Sequence, residues 1–126
     1  MLMVSVDYQR MMGVESLAES CRNGHGVKIA ILDSGTPSKS LYGWPFRQGE
    51  GKDDKFGHAT AIASILFGGW GIRGICEMAT PFYYTVLDEK GIGSVRSVSK
   101  GIMRAIDDDV DIINLSLGFS RLYCAQ

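Results

Sequence analysis

Residues 27–32 (VKIAIL) are apolar and mostly β-branched apart from Lys28, the pattern of a strand covered on both faces. Residues 82–87 (FYYTVL) repeat that signal with aromatic side chains, and residues 111–117 (DIINLSL) give a third strand ending at Gly118. Helical stripes separate them. Ala61, Ile62, Ile65 and Leu66 begin just after His58 and stop at Gly68-Gly69, while Val95, Val98, Ile102, Ala105 and Ile106 follow a break at residues 91–94. A shorter stripe, Val14, Leu17, Ala18 and Cys21, precedes the first strand and stops at Asn23-Gly24. The order αβαβαβ predicts an α/β fold, a three-layer arrangement of helices around a parallel sheet that is incomplete or open at one edge. Residues 36–56 are rich in Gly, Pro, Ser and charge, which reads as a long surface loop and not as a linker between domains.

A length of 126 residues suits one domain. Net charge is -1, and Lys and Arg are scattered, so the chain offers no basic field for nucleic acid or an anionic membrane. No apolar run is long enough to span a bilayer, and the first residues reach Asp7, Gln9 and Arg10 before any sustained apolar stretch. Cys21, Cys76 and Cys124 are far apart and without CxxC spacing, which points away from a disulfide framework or a zinc site. Together these features predict a soluble protein of the cytoplasm.

Open α/β sheets hold ligands at the carboxyl ends of their strands. Asp33, the segment Gly91, Ile92, Gly93 and Ser94, and the segment Ser116, Leu117 and Gly118 all belong at that edge. Taken alone, an acid after an apolar strand serves equally as a phosphate acceptor, a ribose ligand or a helix cap. Gly24-His25-Gly26 precedes its strand, so a dinucleotide fingerprint fails on position, and the two histidines lack the i, i+4 spacing of a helical metal site. No metal or other cofactor is implied. Ser34, Ser116, Ser120 and Cys124 do not lie in a strained strand-to-helix elbow of the kind that exposes a nucleophile.

DSG at residue 33, GHAT at residue 57 and NLSLG ending at Gly118 resemble the motifs of the subtilisin-like serine proteases, the subtilases. The resemblance spans about residues 14–118 and corresponds to the N-terminal half of a catalytic domain, so it implies a single partial subtilase-like domain, incomplete on its C-terminal side. It implies Asp33 as the triad acid and His58 as the general base, in the family's order of Asp, His and then Ser. It also implies that Gly91 to Ser94 and Ser116 to Gly118 flank an extended peptide substrate as two strand segments.

The serine nucleophile and the oxyanion asparagine have no counterpart here, so the chain alone is expected to be inactive and a second chain or segment would supply the serine. The alternatives are a peptide-binding pseudoprotease and a fragment without a role of its own. His58 heads a helix, whose dipole disfavours imidazolium, so it needs a carboxylate to hold its tautomer. Asp33 is the first candidate; Asp53 and Asp54, as loop carboxylates, are expected to be solvated. Ala59 replaces the glycine usual after the histidine, Cys76-Glu77 replaces the usual Ala-Pro, and no calcium loop is recognisable.

Overall fold

The computed structural model describes residues 9–14, 23–38, 49–69, 71 and 73–120. Apart from Val14, the first amphipathic stripe lies outside the described residues, as do Cys21 and Cys124. Three strands, β1 (Lys28–Asp33), β2 (Thr80–Thr85) and β3 (Ile112–Asn114), form a parallel sheet in the order β2-β1-β3. Helix α1 (His58–Phe67) joins β1 to β2, and α2 (Val95–Asp107) joins β2 to β3.

The chain steps from β1 to one neighbour and then passes back over it to the other. Right-handed crossovers therefore put α1 and α2 on opposite faces. Side-chain alternation along β1 matches this arrangement. Ile29 and Ile31 pack with Ala63 and Phe67 of α1 and with Tyr83. Ala30 and Leu32 pack with Val98 and Ala105 of α2 and with Phe82 and Tyr84. The central strand is thus apolar on both sides because both sides are covered. At Gly101 of α2 a Cβ would stand 2.6 Å from Val86 Cγ1 and 3.1 Å from Leu32 Cδ2, so this helix rests on the sheet through a bare backbone.

The strand boundaries differ from the sequence expectation: β1 runs Lys28–Asp33 and so takes in Asp33. β2 starts earlier, with Thr80 and Pro81 paired to Lys28 and Ile29, and it stops at Thr85. There Val86 N–H and Leu87 N–H both donate to the Asp33 carbonyl, at 2.9 and 3.2 Å, and Leu87 turns to an antiparallel bridge with Gly93. β3 covers three residues instead of seven. Among the described residues it has a neighbour on one side only, and beyond Asn114 the Ser116 hydroxyl donates to the Asn114 side chain at 2.9 Å.

Asp108, at the end of α2, is not simply solvated: the Tyr84 hydroxyl donates to its carboxylate. Burial, reinforced by that hydrogen bond, holds the Tyr84 phenol above its ordinary value. No helix among the described residues is long and apolar enough to cross a membrane.

Candidate active site

Asp33 closes β1 on the face shared by Ile29 and Ile31, so the period of the strand aims it toward α1. It is fully buried, 0% exposed. A buried carboxylate is costly unless it is hydrogen-bonded. Here the Ser34 N–H donates to Oδ1 at 2.6 Å, and Nδ1 of His58 lies 2.9 Å from both Oδ1 and Oδ2. An ionised carboxylate only accepts, so Nδ1 is the donor of this contact, and in a neutral imidazole that leaves the lone pair on Nε2. The His58 side chain is 43% exposed. Such an arrangement can serve as an oriented base, with one ring nitrogen anchored to a buried acid and the half-exposed ring open to proton transfer at the other.

His58 is the first residue of α1, and the residue before it, Gly57, has φ 93 and no capping side chain. That left-handed turn suits glycine. The orphan amides of the first turn find acceptors further away. Asp54 Oδ1 accepts from Gly57 N–H at 2.8 Å, and Oδ2 accepts from Thr60 N–H at 2.9 Å and from the Thr60 hydroxyl at 2.5 Å. The Ser34 hydroxyl donates to Asp54 Oδ1 at 2.9 Å and accepts from Ala59 N–H at 3.0 Å.

Asp54 is consequently half-buried and bonded, not a solvated loop carboxylate, and Asp33 is the acid that meets His58. Burial alone would raise the Asp54 carboxyl. Hydrogen bonds from the Thr60 hydroxyl, the Gly57 and Thr60 amides and Ser34 outweigh it and hold the group below its ordinary value. The missed signal was an acid three residues before Gly57 with a threonine three residues after it, an Asx-type capping arrangement.

Gly91, Ile92, Gly93 and Ser94 stand at the carboxyl end of the sheet, as expected. Asp88 Oδ1 accepts from Lys90 N–H and Ile92 N–H, both at 2.9 Å, and Asp88 N–H donates to the Ile92 carbonyl at 2.8 Å. This turn carries Ile92 into solvent, where it is 64% exposed. A cavity of about 540 Å³ opens beside it, floored by Val86 and Leu87 and rimmed by Lys52, Lys55 and Asp88. Ser94 has a second duty as the N-cap of α2, in a reciprocal capping box with Ser97.

A Cβ at Gly91 would sit 2.7 Å from the Phe56 ring, and that ring lies 6.5 Å, centroid to centroid, from the His58 imidazole. Phe56 thus stands between the Gly91 segment and the His58 ring. Ser116 and Gly118 are exposed, and Leu117 packs against the α2-side core. They follow β3 at the same end of the sheet but line no part of that cavity. Among the described residues no group of three or more His, Cys, Asp or Glu side chains could hold a metal ion.

Residues 24–122 match the model of the Subtilase family. The chain belongs to that family. It is 36% identical over 104 residues to the minor extracellular protease Epr of Bacillus subtilis (strain 168), covering 75% of this chain and 16% of the relative. It is 29% identical over 116 residues to the minor extracellular protease Vpr of the same organism, covering 77% of this chain and 14% of the relative. The subtilase chain therefore spans only 16% and 14% of the lengths of these relatives.

A solved structure, the S218A mutant of the protease domain of PatA, superposes with a TM-score of 0.60 at 22% identity, covering 75% of this chain and 39% of that one. This likeness establishes the subtilisin-like α/β fold. Both bacterial relatives are extracellular by name, which overturns the expectation of a cytoplasmic protein. That expectation leaned on scattered cysteines and a polar start. A domain with two apolar core clusters does not depend on disulfides in any compartment, and the opening residues of a chain that spans 16% of a relative carry no information about a leader.

Proposed function

We propose that residues 1–126 are the N-terminal part of one subtilase catalytic domain that hydrolyses peptide bonds, with Asp33 as the acid and His58 as the base. The serine hydroxyl is supplied by polypeptide outside this sequence. The observation that carries the reading is the 2.9 Å contact of His58 Nδ1 with a fully buried Asp33. In this scheme His58 Nε2 removes the proton from the serine as it attacks the scissile carbonyl, then returns it to the departing amine. Asp33 stabilises the imidazolium formed in between. The serines beside the site are occupied otherwise: Ser34 is tied to Asp54 and Ala59, and Ser116 to Asn114.

An extended peptide substrate would lie along Gly91 to Ser94 and Ser116 to Gly118, gaining main-chain hydrogen bonds by strand addition. The test is to mix the chain with the serine-bearing remainder of a subtilase catalytic domain and treat the mixture with a fluorophosphonate probe. Labelling of the serine that requires this chain supports the reading. A stable assembly that stays unlabelled overturns it. A protein that only binds peptides would keep its affinity for an extended peptide in His58→Ala and never be labelled.

A further inference from the structure

The acid and the base sit on separate elements, β1 and α1, and are 25 residues apart in sequence. Their distance is set by whatever ties the end of the strand to the start of the helix. Ser34 is 4% exposed, and its N–H and its hydroxyl are both committed. Its N–H donates to Asp33 Oδ1, while its hydroxyl gives its proton to Asp54 and accepts from Ala59 N–H. Asp54 in turn holds Gly57 and Thr60, on either side of His58 and Ala59. The contacts form a closed ring: Asp33, Ser34, Asp54, the first turn of α1, His58 and back to Asp33.

We propose that Asp54, acting through Ser34, is a positioning residue that sets the placement of the His58 imidazole on the Asp33 carboxylate. The proposal rests on the reading of Asp33 and His58 as acid and base. A carboxylate suits the task because four donors converge on it, more than a neutral amide oxygen could satisfy. It also places negative charge at the positive end of α1.

A residue that merely capped the helix would affect melting and leave the imidazole alone, so the readout is the imidazole itself. Nitrogen-15 NMR of the full chain reports the His58 tautomer and its titration. Wild type is expected as the Nδ1–H form, with Asp33→Asn as the reference that disrupts it directly. In Asp54→Ala the ratio of Nε2–H to Nδ1–H tautomer should rise on the order of tenfold, the scale of one lost hydrogen bond to a charged group.

Asp54→Asn, which keeps one acceptor, should fall between the two. If Asp54→Ala does not fold, Ser34→Ala carries the test, because it cuts the link to β1 and leaves the Gly57 and Thr60 contacts in place. A folded Asp54→Ala, or in its stead Ser34→Ala, with wild-type tautomer and titration overturns the positioning role. If Asp33→Asn is also silent, it is the acid–base reading that fails.

Discussion

A Cβ on Gly35 would stand 2.6 Å from the Cα of Asp54 and 2.8 Å from its backbone nitrogen. The two segments approach this closely because Thr36 N–H donates to the Lys52 carbonyl at 2.7 Å and Asp54 N–H to the Thr36 carbonyl at 2.9 Å. The missing side chain is what lets Asp54 reach Ser34. Gly35→Ala forces backbone against backbone and should destabilise the protein by about 1–3 kcal/mol. Urea unfolding measures it, with Gly118→Ala, whose new Cβ would meet nothing within 4 Å, as the unaffected control.

The acid limb of stability should depend on Asp54. Its carboxyl is held below the ordinary value of 3.8, so the unfolded chain takes up the proton more readily than the folded one. The contribution is complete above the unfolded value and is lost as pH falls through the lower, folded value. Asp88, held down by the Ile92 and Lys90 amides, acts in the same direction. In Asp54→Asn the loss of stability on acidification should shrink but persist, as read from urea midpoints at a series of pH values.

Ser97 ties the start of α2 to Ser94 and to the end of β2. Its hydroxyl donates to the Val86 carbonyl at 2.8 Å and accepts from Ser94 N–H at 3.0 Å. Ser97→Ala removes half of the capping box, should cost about 1–2 kcal/mol, and should speed hydrogen exchange at the Ser94 amide. Unchanged exchange there would mean that the segment is held by other contacts.

The two-sided core was legible because strands covered on both faces read as near-continuous apolar runs, and residues 27–32 do so apart from Lys28 at the strand's edge. The contact between Asp33 and His58 was legible too, through the resemblance of the DSG and GHAT segments to family motifs and not through local pattern. Asp54 was not. Its partner Ser34 lies 20 residues away, and local composition at a loop does not encode that contact. The early end of β3 was equally hidden, since Leu115 and Leu117 keep a strand's alternation after the ladder has stopped. Compartment was misread because cysteine usage constrains a fold only when disulfides are needed to hold it.

The most direct test of the central claim is turnover of a peptide ester by the chain assembled with its serine-bearing remainder, comparing wild type with Asp33→Asn. If the buried carboxylate holds the imidazole in its working tautomer, kcat at neutral pH should fall on the order of 10⁴-fold. An Asp33→Asn assembly that turns over like wild type would contradict the account.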